Sequence, residues 1–150
     1  SVVKIFLLIV HGLSATLLLG AITHQAIAVW WASPTSAGFW RSLGAVHPQR
    51  YVNAIIVLLV FTIALGAVIY VPFRTDVRAT YLDAAVPWAT GLFEVKEHAA
   101  AIALALIPAY WALWQTAAHR GSRRAVTTIL LIVAWWNFVI GHVVNNLRGL

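Results

Sequence analysis

The sequence predicts an all-α integral membrane protein, an up-down bundle of four transmembrane helices. Three observations predict it. Of 150 residues, 62% are hydrophobic and only 9% are Asp, Glu, Lys or Arg, where a soluble globular domain carries about 25% charged residues. The mean hydropathy is +0.87. The apolar residues fall into four long runs, each able to cross about 30 Å of hydrocarbon at about 1.5 Å per residue. A chain this short cannot enclose four such runs, because small domains leave much of their surface exposed. Its solvent is lipid.

The first span is placed over residues 2–31. It is long enough to tilt, and His11, Ser14, Thr16, Thr23 and His24 within it, with no basic cluster in front, mark a mature helix rather than a signal segment. Ser33-Pro34-Thr35-Ser36-Ala37-Gly38 breaks it, and Trp30, Trp31, Phe39, Trp40 and Tyr51 read as an interfacial aromatic belt. The second span is 51–72. A polar connection over about 73–90 carries Arg74, Asp76, Arg78 and Asp83, and Pro87-Trp88 leads back to a third span at 91–114. The short basic turn His119-Arg120-Gly121-Ser122-Arg123-Arg124 makes the third span an antiparallel neighbour of the fourth, at 126–147. Without internal repeats, residues 1–150 form a single membrane domain.

Four spans put both termini on one face, side A, together with the 73–90 connection. Lys4, Arg74, Arg78, Lys96 and Arg148 fall on side A, and Arg41, Arg50, Arg120, Arg123 and Arg124 on side B, five against five. The triple-Arg turn, and the location of all four acids (Asp76, Asp83, Glu94, Glu97) on side A, favour side B as cytoplasmic. The expected location is the bacterial cytoplasmic (inner) membrane, with both termini periplasmic. The net charge of +6 sits at the ends of apolar runs, which argues against nucleic acid as a partner. The chain has no Cys, which excludes disulfides, thiolate metal sites, covalent c-type haem and iron–sulfur ligation by this chain.

Ionisable groups inside hydrocarbon cost about 2.5–3.5 kcal/mol each and need a partner or a task. Phe93-Glu94-Val95-Lys96-Glu97-His98 places Glu94, Glu97 and His98 on one helical face, with Lys96 about 200° from Glu94. His98 lies about 6 Å inside Glu94, His142 about 6 Å inside Asn146, and His11 about 10 Å inside Lys4. Three imidazoles from three helices thus share a slab near side A. Imidazole is the usual axial ligand of haem iron and a common ligand of other transition metals. His98 ranks first as ligand, then His142 and His11, with Lys96 a fourth candidate for cofactor binding. His11 and His24 are thirteen residues apart and project about 220° apart, so one haem b fits better than two. Gly12, Ala15, Gly20, Ala99, Ala100, Ala101 and Gly141 offer space for a macrocycle, and Glu94 or Glu97 is placed to orient an axial imidazole or carry protons. Asn137 is read as an interhelical hydrogen-bond donor. His47 and His119 are read as surface residues.

Lys4, His11 and Gly20 in the first span, the Phe93–His98 run and the Tyr110-Trp111-Ala112-Leu113-Trp114 exit resemble the haem-binding J-type protoporphyrinogen IX oxidases and the copper-resistance D-type membrane proteins. Gln25-Ala26-Ile27-Ala28-Val29-Trp30 stands where the oxidases have a basic, aromatic stretch. The resemblance implies haem binding through His11 and Lys96. A likeness to the four-helix haem anchors of respiratory dehydrogenases implies His98 and His142 instead. The expected function is a membrane b-type cytochrome subunit exchanging electrons with a quinone, a cytochrome or a partner subunit. The alternatives are a protoporphyrinogen oxidase-like enzyme, a copper-binding or copper-transport protein using Glu94, His98 and His142, and a cofactor-free subunit of a larger membrane complex.

Overall fold

A computed structural model describes residues 2–31, 38–39, 46–116 and 120–148. Residues 33–37 of the expected break, with Trp40, Arg41 and His119, lie outside the described residues. Four long helices dominate the remainder: α1 (Val2–Trp31), α2 (Tyr51–Phe73), α3 (Pro87–Gln115) and α4 (Arg120–Leu147). Helix is what lipid dictates, since no water is available to satisfy backbone groups. Hydroxyls and amides inside the spans follow the same logic by bonding to their own helix: Ser14 donates to the His11 carbonyl at 2.9 Å, Thr16 to Gly12 at 2.9 Å and Thr128 to Arg124 at 2.8 Å. Asn137 does likewise, donating to the Val133 carbonyl at 2.8 Å. One of its two amide protons is thus used within α4, and no interhelical bond from Asn137 is seen among the described residues.

Among the described residues, three helical stretches are long and apolar enough to cross a membrane: Val2–Trp31, Pro48–Ala85 and Arg120–Leu147. The described residues are thus almost wholly helical, as an integral membrane protein requires. α3 is long enough but less apolar: Glu94, Lys96, Glu97 and His98 lie in its N-terminal half, and the rest is rich in Ala and carries Pro108, Tyr110, Trp111, Trp114 and Gln115.

The connection expected as a loop over 73–90 is almost wholly helical. After Phe73 the coil widens into a π-type segment, Arg74–Leu82, in which the Asp83 amide donates to the Arg78 carbonyl, and it ends in a single α-turn, Asp83–Ala85. Val86 leaves helical geometry at φ −142° and ψ 58°, and Pro87, whose missing N–H costs nothing at a helix start, opens α3 four residues before the expected Gly91. α4 likewise begins at Arg120 rather than Val126. Long arginine side chains can continue a helix while reaching polar surroundings, so charge does not mark the helix end.

The helices alternate in direction. Leu18 and Ile22 of α1, Val52 and Ile55 of α2, Tyr110 and Trp114 of α3, and Val126 and Leu130 of α4 form one buried cluster at the side B end. Phe73, Val77, Leu82, Ala89, Ile140 and Val144 form a second at the side A end. α1 packs closely on α2 and α4, and α3 on α4, whereas α2 and α3 touch more sparsely. Outward residues such as Leu13, Val57, Ile102 and Ile132 are apolar and exposed, as lipid-facing positions should be. Between the two clusters lies a half-buried layer, and the unusual residues are there.

Candidate functional site

His11 and Lys96 are brought into that layer from α1 and α3, which stand diagonally in the bundle. The Lys96 ammonium lies within electrostatic range of the His11 ring. Each side chain passes a glycine on a neighbouring helix. A Cβ on Gly66 of α2 would meet His11 Cε1 at 3.3 Å, and a Cβ on Gly141 of α4 would meet Lys96 Cε at 3.6 Å. The ring sits beside the Thr62 backbone carbonyl, and the adjacent Thr62 hydroxyl donates to Ser14 at 3.0 Å. His11 Nδ1 is buried without a hydrogen-bond partner. Lys96 has no hydrogen bond or ion pair among the described residues; its Nζ lies over the face of Phe93, 4.8 Å from the ring centroid, and the Glu97 carboxylate acts on it electrostatically.

Helical geometry explains why these two share a level of the bundle. Gln25 follows His11 by fourteen residues, and Tyr110 follows Lys96 by fourteen (25 − 11 and 110 − 96). Fourteen residues end within about 40° of the starting direction and about 21 Å along the axis. Gln25 and Tyr110 are both fully buried, and the Tyr110 hydroxyl donates to Gln25 Oε1 at 2.7 Å. The faces of α1 and α3 that meet in this bond also carry His11 and Lys96 one level nearer side A. Gln25 further donates to the Pro48 carbonyl at 3.1 Å, tying the bond to the start of α2.

The other sequence candidates are placed elsewhere. His98 and His142 are exposed. His98 Nδ1 donates to the Glu94 carbonyl of its own helix at 2.7 Å. Glu94, also exposed, accepts from Arg78 at 2.6 Å, while Glu97 is half-buried beside Lys96 in sequence. Among the described residues, no group of three or more His, Asp or Glu is placed to hold a metal ion. The three imidazoles share a depth by arithmetic, but helix rotation sends only His11 inward. His24 stacks on Tyr51 with centroids 6.4 Å apart. His47 accepts from the Gln49 amide at 3.4 Å, turning the chain into α2.

Gly12 and Gly20 face open space rather than a slot, whereas Gly66, overlooked in the sequence, faces His11. Gln25 and Tyr110 enter the sequence reading within the Gln25–Trp30 and Tyr110–Trp114 runs, not as partners. The matched fourteen-residue spacings are the signal that marks all four residues. Comparison with protein-family models, with curated proteins and with solved structures gives no match.

Proposed function

We propose that the chain is a four-span up-down bundle of the bacterial inner membrane that holds one b-type haem near side A and transfers electrons. The observation that carries this reading is the inward-facing His11–Lys96 pair, one member with an orphaned ring nitrogen and the other with an unpaired amine. The His11 imidazole, a ring often used to hold haem iron, would hold the haem, and the Lys96 amine would be the second group to do so. When bound, the haem supplies one-electron chemistry between its two iron oxidation states.

The chain's own residues do the rest. The Thr62 carbonyl orients the imidazole, the glycines at 66 and 141 admit the His11 and Lys96 side chains, and the two apolar clusters keep water from the layer. Glu97 is placed to carry protons that accompany electron exchange with a quinone; Glu94 is held by Arg78. A quinone, a periplasmic cytochrome or a further membrane subunit is the fitting partner. The arginines at side B favour that side as cytoplasmic, leaving both termini periplasmic.

A second reading, oxidation of protoporphyrinogen IX at the same place, rests on the same His11–Lys96 pair, which is the one that the resemblance to the J-type oxidases marks.

A reduced-minus-oxidised visible spectrum of the purified protein tests the first reading. A Soret band and a b-type α band are expected, lost in His11→Ala and retained in the double variant His98→Ala/His142→Ala. Lys96→Ala is expected to shift the Soret band from its wild-type position. A colourless protein rejects haem, and copper by elemental analysis without a Soret band replaces it with the metal-handling alternative. Faster formation of protoporphyrin by wild type than by His11→Ala, with an electron acceptor present, selects the oxidase reading.

A further inference from the structure

At the side A end a cleft of about 460 Å³ opens among Tyr70, Arg74, Arg78, Ala79 and Asp83. It carries one open charge of each sign. Arg78 is committed to Glu94 at 2.6 Å and reaches Asp83 Oδ1 at 3.5 Å, and the same Oδ1 accepts from Thr90 at 2.8 Å. Asp83 Oδ2 has no hydrogen bond or ion pair among the described residues, nor has the exposed guanidinium of Arg74. The Tyr70 hydroxyl accepts from Arg78 at 3.4 Å, leaving its own proton to donate, and its ring is held by stacking on Phe93 at 5.8 Å. A purely anionic ligand would meet Asp83, and a purely cationic one Arg74. The cleft suits a ligand that carries both charges.

Its depth says where such a ligand comes from. Arg74 follows Tyr51 by 23 residues (74 − 51), about 34 Å along α2, and so stands just beyond hydrocarbon about 30 Å thick that starts at the Tyr51 end. That is headgroup depth. Val57, Phe61, Ala64, Val68 and Val71 are all exposed, at alternating four- and three-residue spacings, and form one apolar stripe on α2 that ends three residues before Arg74. Guanidinium donors match two phosphate oxygens, and a primary ammonium brings three N–H donors to a carboxylate.

We propose that this cleft binds a phospholipid of the ethanolamine class, its phosphate on Arg74 and the Tyr70 hydroxyl, its ammonium on Asp83 Oδ2, and its acyl chains along the stripe. The free headgroup shares the polar chemistry; the stripe commits the site to the lipid. The assignment is independent of what the His11–Lys96 layer holds.

Full-length protein stripped of lipid in detergent is titrated with phosphatidylethanolamine, phosphatidylcholine and phosphatidylglycerol, and bound lipid is counted by native mass spectrometry. Wild type is expected to hold phosphatidylethanolamine roughly tenfold more tightly than phosphatidylcholine, whose trimethylated ammonium has no N–H, and than phosphatidylglycerol, which has no cation for Asp83. Arg74→Gln should weaken phosphatidylethanolamine binding by a similar factor, with most of the loss recovered in Arg74→Lys. Asp83→Asn, which keeps an acceptor for Thr90, should erase the preference for the ethanolamine headgroup. Asp76→Asn, on the same connection but paired with Lys4, should change nothing. Equal binding of the three lipids by wild type overturns the proposal without recourse to any variant. Preference for phosphatidylglycerol makes the cleft an anionic-lipid site and also overturns it, as does unchanged phosphatidylethanolamine binding in either Arg74→Gln or Asp83→Asn. Glycerophosphoethanolamine bound as tightly as the lipid removes the stripe from the site, and the lipid assignment with it.

Discussion

Tyr110 and Gln25 meet where nothing but protein surrounds them, so each depends on the other for its polar group. Tyr110→Phe leaves the Gln25 oxygen buried without its donor, at an expected cost of about 1–3 kcal/mol, read as a lower unfolding midpoint in detergent. Adding Gln25→Leu should recover part of that loss; a double variant whose loss equals the sum of the two singles would contradict the pairing. At this scale the sequence was legible in kind but not in direction. It drew attention to the ionisable residues of the third span and to His11, because charge in hydrocarbon is conspicuous. It ranked His98 above Lys96 because imidazole is the commoner ligand, and nothing in a single helix says which face turns inward. The Glu94, Glu97 and His98 face turns largely outward, with Glu94 in reach of Arg78.

The glycines belong to the helices that carry them, and two opposite outcomes follow from their surroundings. Gly66→Val places carbon where the His11 imidazole lies and is expected to cost about 1–3 kcal/mol through overpacking. Gly141→Ala makes only ordinary contact with Lys96 at 3.6 Å and is expected to be neutral or to stabilise by up to about 1 kcal/mol through helix propensity. Thermal unfolding of the two variants in one detergent checks the contrast. Helix existence was legible throughout, since long apolar runs leave lipid-solvated backbone no alternative. Boundaries were legible for α1 and α2 but not at the charged ends. Arg74–Leu82 reads as a loop by composition, yet Val77 and Leu82 point into the side A cluster and hold the segment as coil. Arg120–Arg124 also reads as a turn, but Arg124 stays within the helix by resting on Trp30 at 4.9 Å and donating to the Val29 carbonyl at 3.2 Å.

Across the whole molecule, the side A end is tied together by contacts from both ends of the chain to one connection. Lys4 bonds Asp76 at 2.6 Å, and Arg148 lies 5.1 Å over the Tyr81 ring. Lys4 and Thr75, as hydrogen-bond donors, hold the Asp76 carboxyl below the ordinary aspartate range. The stability this contributes is present in full above that range and is lost as pH falls through the lowered native value. Asp76 is fully exposed, so the effect is small and weakened by salt. Unfolding midpoints of wild type and Asp76→Asn, followed from neutral pH down through the carboxylate range, are therefore expected to converge at the acid end. The cross-brace between Gln25 and Tyr110 reaches further than its own neighbourhood. It fixes the rotational phase of two rods, so whatever sits the same number of residues away on each must arrive in step. One extra residue between Ser14 and Gln25 would swing His11 by about 100° toward the acyl chains while leaving its chemistry untouched. The spacing, as much as the side chains, is what a working relative of this chain has to keep.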